Sequence, residues 1–184
     1  MIDHQRKLLF VHVARTGGTS VETALVGKDW WRVEASTKHI SAKQARKFYG
    51  EAICQSYTKF SIVRNPWDRV ISMWATGRWH EPSNLNEGCS LKVFIENLKP
   101  HPNETYNSLF YNEILNDDLD HILRFENLQN DFDNMLDCLG LKKEPLPHIN
   151  KKQRRPYTDM YSERDQALVQ KLFAKDIEYF EYKF

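Results

Sequence analysis

Cysteine is scarce in this chain: Cys54, Cys89 and Cys138 are three among 184 residues, an odd number, widely spaced and without metal-ligand pairing. That argues against a disulfide framework or a metal centre and fits a reducing compartment. Long apolar runs are missing as well. No stretch approaches the roughly 18 residues of a membrane helix, and Met1 to Lys7 contains no apolar signal-like segment, so a cytoplasmic chain is expected. Charge of one sign is also lacking, because 26 Lys+Arg and 25 Asp+Glu leave a net charge of +1. No global field draws such a chain onto nucleic acid or an anionic membrane, so any anion site must be local. Internal repeats and low-complexity segments are absent. The length suits a single domain with a sizeable core, and an insertion or lid is expected at about 75–103, where Gly77, Pro82, Gly88, Pro100 and Pro102 interrupt the pattern.

Glycine is sparse too, seven in all, yet two stand side by side at Gly17-Gly18. They follow the aliphatic run 8–13, broken only by His12, and precede Thr19 and Ser20, which open a helix. This is the layout of a phosphate cradle: a buried strand, a turn that lets the backbone approach a ligand, and a helix whose first N–H groups have no internal partner. Arg15 adds a fork of donors matched to phosphate or sulfate oxygens. Taken alone, the same pattern also describes a plain strand-turn-helix corner.

A second strand-to-helix corner breaks that tie. Residues 59–63 run into Arg64, Asn65 suits a helix N-cap, Pro66 the first helical position, and Asp68 the first turn. Trp67, Val70, Ile71 and Trp74 make a core-facing stripe, while Asn65, Asp68, Arg69 and Ser72 are expected on the other face. Arg64 and Ser72 can then meet one phosphate group. Further helices are expected at 42–50 with Ser41 as cap, 91–98, 105–115, 126–140 and 162–179, and a strand at 121–125. Adjacent Trp30 and Trp31 cannot both face one side of a strand, so core packing of at least one is expected, with the other free to lie near a cleft. The pattern predicts an α/β fold: a single domain with a central parallel sheet flanked by helices, P-loop-like, binding its ligand at the carboxyl edge. Lys151, Lys152, Arg154 and Arg155 form a basic segment that reads either as a solvated loop or as a cover for an anionic ligand.

Together the two corners resemble the PAPS-dependent sulfotransferases, particularly their small carbohydrate-type branch, which move a sulfuryl group from 3′-phosphoadenosine 5′-phosphosulfate (PAPS) to an acceptor hydroxyl or amine. The family's 5′-phosphosulfate loop reads Pro-Lys-Thr-Gly-Gly-Thr-Ser, matched here by Ala14 to Ser20. Its 3′-phosphate motif is an arginine at a strand end, a proline two residues on and a serine eight residues on, matched by Arg64, Pro66 and Ser72. Arg124 to Leu128 and the closing residues 176–184 are also similar. The resemblance implies PAPS as donor, PAP as product, no metal, and a small-molecule or glycan acceptor. It also implies donor contacts from Arg15, Thr16, Gly17, Gly18, Thr19, Ser20, Arg64 and Ser72, and catalytic roles for Arg15 and for His39 as base. Glu126 is a substitute base, although directly after a strand it is suited to capping or pairing. The departure lies at Ala14 and Arg15, where the family has proline and lysine. Arginine keeps the charge but not the compact ammonium.

Two rivals follow from the same residues. A nucleotide-hydrolysing or kinase-like P-loop enzyme needs Gly-Lys-[Ser/Thr], and Gly18-Thr19-Ser20 lacks the lysine. A non-catalytic nucleotide- or glycan-binding module would tolerate Arg15 because turnover no longer mattered. The acceptor is not legible: Trp30, Trp31, Trp79 and residues 75–103 suit a sugar, a phenol or a lipid.

Overall fold

The computed structural model describes residues 1–76, 89–98, 108–147, 149 and 154–184. Its centre is a four-stranded sheet in the order β1 (Ile2–Asp3), β2 (Leu8–Val11), β3 (Thr58–Val63), β4 (His121–Arg124). β2, β3 and β4 are parallel, with Phe10 opposite Phe60 and Phe60 opposite His121. The sheet is not wholly parallel, as the sequence had suggested, because β1 runs antiparallel on the edge with Ile2 opposite Leu9. A tight turn causes this. The Asp3 carboxylate accepts the N–H groups of Gln5 and Arg6, Lys7 adopts φ 54°, and the chain doubles back. Two residues are too few to show a period, so this strand left no mark in the hydropathy pattern.

Between β2 and β3 lie α1 (Gly18–Val26), α2 (Ala42–Tyr49) and α3 (Glu51–Ser56). Ser41 caps α2 in a full capping box with Gln44. After β3 come α4 (Pro66–Trp74), α5 (Leu91–Glu96) and α6 (Tyr111–Ile114), and after β4 come α7 (Leu128–Cys138), α8 (Glu163–Leu172) and α9 (Ala174–Tyr179). The helix expected at 162–179 is thus two, parted at the buried Phe173, and the one expected at 126–140 begins as a 3-10 turn, Phe125–Asn127. Of the helix expected at 105–115, Tyr111–Ile114 is helical and 105–107 lie outside the described residues.

Phe10 and Phe60 stack at 4.8 Å within a core completed by Val21, Leu25, Trp30, Leu123, Phe132 and Leu136. Burying each such side chain contributes roughly 1.5–3 kcal/mol. A second core joins Trp67, Val70 and Met73 of α4 to Phe94 and Ile95 of α5 and to Val169 and Phe173. Part of the segment expected as an insertion is therefore core. The rest of it, with Trp79 and His80, lies outside the described residues, where Lys151 and Lys152 of the basic segment also fall. Among the described residues no helix is long and apolar enough to cross a membrane, and no cluster of side chains could hold a metal ion.

Candidate anion-binding site

β2 ends at Val11, two residues before the pattern suggested, and the chain turns where the Thr16 hydroxyl donates to the Val13 carbonyl at 2.8 Å. Arg15 at φ 68° and Gly17 at φ 87° both occupy the left-handed region, comfortable for glycine and unusual for arginine. α1 then starts at Gly18 with no side chain capping it, so its leading N–H groups face the cleft beyond the sheet. Gly18 has a second reason to be glycine. A Cβ there would meet Cδ2 and Nε2 of the His12 ring well inside contact distance and lie 2.8 Å from Cε1.

The second corner forms as its residues predict. The Asn65 carboxamide oxygen accepts the Trp67 N–H at 3.0 Å, and Pro66 opens α4. The Arg64 guanidinium donates from Nε and Nη2 to Asp68 Oδ2 at 2.9 and 2.7 Å and from Nη1 to the Arg15 carbonyl at 3.0 Å, and it lies 3.9 Å over the Phe125 ring. Asp68 Oδ1 accepts from Arg154. The Arg15 side chain crosses to α4, where Nε and Nη2 donate to Ser72 Oγ at 3.1 and 3.0 Å. The two corners are thus joined by side chain and by backbone. Tyr111, fully buried, donates to the Arg64 carbonyl at 2.7 Å and accepts the Arg64 N–H at 2.9 Å; burial pushes its phenol up to about 12, so it remains a donor. Arg69 corrects the expected polar face. It points inward, donates to the Ala14 and Leu109 carbonyls at 3.1 and 2.7 Å and stacks on Tyr111 at 4.8 Å.

The end of the chain braces this corner. Asn65 Nδ2 donates to the Lys183 carbonyl at 2.8 Å, Arg124 Nη2 to the Phe180 carbonyl at 2.9 Å, and the Tyr182 hydroxyl to Glu126 at 3.3 Å. The Glu126 carboxylate also accepts the Asn65 N–H at 2.6 Å. It is engaged as a cap and brace rather than presented to the cleft.

Arg15, Gly17, Gly18, Thr19, Ser20, Arg64 and Ser72 line one cleft of about 830 Å³, and Thr16 is buried beneath it. His39 is not in that lining. It stands behind His12, ring centroids 4.5 Å apart and edge to face, and its Nδ1–H donates to the His12 carbonyl at 3.0 Å. That bond fixes the tautomer and leaves Nε2 with its lone pair. Burial, then the His12 charge, holds His39 well below its ordinary pKa, so the ring is neutral at pH 7. His12 donates from Nδ1 to Glu22 at 2.6 Å, and Glu22, fully buried, also accepts Lys38 Nζ at 2.7 Å and the Trp30 N–H at 3.1 Å. Burial works to raise the Glu22 carboxyl, but hydrogen bonds from His12 and Lys38 outweigh it and hold the group down at about 2. Trp30 is buried, whereas Trp31 is 49% exposed and lies 5.5 Å from the His39 ring.

Further side chains line the cleft. His12 and Asp68 line it beside Arg154 and Arg155, the described end of the basic segment. Phe125, Leu128, Leu146, Pro147 and Ile149 form an apolar wall with Gln129. His12 was legible as the one polar residue in the run 8–13, and it lies just past the end of β2. Nothing local marked the apolar wall, which is assembled from two separate segments, 125–129 and 146–149.

A family model described as "Sulfotransferase family" matches residues 1–183. Comparison with curated proteins and with solved structures returned no match.

Proposed function

As the chain belongs to the sulfotransferase family, we propose that its cleft binds PAPS and that the protein transfers the sulfuryl group to a carbohydrate hydroxyl. The observation that carries this reading is the convergence of two anion-ready corners in one cleft, linked by Arg15 to Ser72. Arg15 and the α1 N–H groups suit the 5′-phosphosulfate, Arg64 and Ser72 the 3′-phosphate, and the apolar wall around Leu128 and Leu146 a flat base. A nucleotide charged at both ends fits such a cleft.

For transfer, Arg15 and the loop N–H groups hold the charge that builds on the bridging oxygen, and a base takes the acceptor proton. His39 supplies the base in this reading. It is neutral, and its Nδ1–H bond to the His12 carbonyl leaves Nε2 as the proton acceptor. The exposed Trp31 beside it offers a stacking face for a sugar. A reducing, cytoplasmic location completes the reading and rests on the free cysteines Cys54, Cys89 and Cys138.

Calorimetry with PAP and AMP tests donor binding. Losing the 3′-phosphate should weaken binding by about 1.5–3 kcal/mol, a charged hydrogen-bonding contribution, and equal affinities would refute the assignment. Mass spectrometry of a glycan panel incubated with PAPS tests transfer. Tight PAP binding with no sulfated product would favour the binding-module reading that Arg15 in the lysine position suggests.

A further inference from the structure

Among the described residues four arginines line the cleft, Arg15, Arg64, Arg154 and Arg155, and the lining holds a single carboxylate, Asp68. That carboxylate is placed unusually. One oxygen takes both Nε and Nη2 of Arg64, and the other takes Arg154, which lies 86 positions further along the chain. The remaining sides of Arg64 are in use: Nη1 donates to the Arg15 carbonyl, and one face of the guanidinium covers Phe125. The Nε–Nη2 edge is the one that grips an oxyanion with two parallel hydrogen bonds, and Asp68 occupies it. Two guanidinium groups converge here, and the positive charge of Arg154 works against that of Arg64. An anion between them is what makes the arrangement stable.

We propose that Asp68 is a built-in occupant of the 3′-phosphate seat, a carboxylate that holds Arg64 and Arg154 in place while the cleft is empty and yields both to the donor's phosphate. The proposal rests on the reading of this cleft as a PAPS site. A phosphate dianion and a carboxylate cannot share one guanidinium edge, since like charges in direct apposition repel strongly. Binding therefore exchanges one anion for another: Asp68 turns away, and Arg154 becomes a second ligand of the phosphate. The exchange also confers selectivity. A nucleotide with only a 5′-phosphate has nothing to put in the seat and leaves the Asp68 clasp closed, whereas one with a 3′-phosphate opens it.

The alternative is that Asp68 is a fixed brace that orients Arg64 and stays in place when the ligand arrives. The two roles predict opposite signs. Asp68→Asn keeps the size and one acceptor oxygen but removes the competing charge, so PAP should bind roughly tenfold more tightly or better, with AMP affinity within about threefold of the unmodified protein. Asp68→Ala should shift PAP affinity the same way, and Arg154→Ala should weaken PAP while sparing AMP. These affinities are measured by calorimetry on the full chain, with a thermal melt of each variant. PAP affinity that is unchanged or reduced in both Asp68 variants overturns the proposal and makes Asp68 a brace. Failure of the unmodified protein to distinguish PAP from AMP is a different result, because it removes the PAPS reading itself.

Discussion

Replacing Gly18 by alanine tests how the donor loop is held, and the structure sets the size of the effect. The new Cβ would collide with three atoms of the His12 ring. That ring cannot readily move, because it stacks on Phe10 at 5.3 Å, meets His39 edge-on at 4.5 Å and is tied through Nδ1 to the fully buried Glu22 at 2.6 Å. Overpacking of this kind costs about 1–3 kcal/mol when the surroundings shift. If the ring gives up Glu22 instead, a further loss of about 1.5–3 kcal/mol follows for a charged hydrogen bond. Opposing this, alanine is a better helix former than glycine by at most about 1 kcal/mol, and by less in a first turn. The clash wins. In a domain of this size each kcal/mol moves the melting temperature by roughly 2–4 °C, so a fall of about 3–10 °C is expected in a thermal melt. PAP should also bind more weakly, because the start of α1 is pushed from its place. The decisive control is the same substitution in a His12→Ala background, where the space is open and the cost of Gly18→Ala should vanish. A Gly18→Ala protein as stable as the original, or an equal cost in both backgrounds, would show that the His12 ring does not set the position of the loop.

Two further predictions concern chemistry. Arg15→Ala should lower PAPS turnover far more than it weakens PAP binding, whereas Arg15→Lys should retain turnover; matched losses of rate and affinity would make Arg15 a donor-binding residue only. His39→Ala should lower the transfer rate by roughly 10²–10⁴ with PAP affinity nearly unchanged. The pH dependence has a definite sign. His39 accepts a proton only when neutral, and its pKa in the folded protein lies well below 6.5, so the rate should stay level down through pH 6.5 and fall only below it. A rate already halved at pH 6.5 would assign the base to another group.

The parts of this protein that could be read from its sequence are those that depend on neighbours along the chain. Asn65 and Pro66 announced the start of α4, Ser41 announced α2, and Gly17-Gly18 announced the first turn, since each acts within a few residues of itself. Arg69 shows where such reading stops. Helical spacing put it on the polar face, but two carbonyls and the Tyr111 ring, supplied by distant segments, draw it fully into the interior. Arg154 is a similar case: its charge was plain, but its partner Asp68 is 86 positions away. Glu22 carries no mark in the sequence, and only the fold brings His12 and Lys38 against it. His39 was named only through the family resemblance, and its position behind His12 depends on the path of residues 27–41, which no periodic pattern records.

The bracing of the second corner by the last residues of the chain bears on the order of folding. Asn65 is held by Lys183 across 118 positions, Glu126 by Tyr182 and Arg124 by Phe180 across 56 each. The two contacts across 56 positions span as much chain as the strand pairings themselves, 50 positions from Phe10 to Phe60 and 61 from Phe60 to His121, and the third spans about twice as much, so none of the three can form locally. The corner that presents Arg64 is therefore complete only when segments from across the chain have come together. A partly folded chain can have its sheet and most of its helices and still lack a cleft able to grip a phosphate. Ligand in the surroundings then draws the chain toward completion by mass action, because it binds only the finished form.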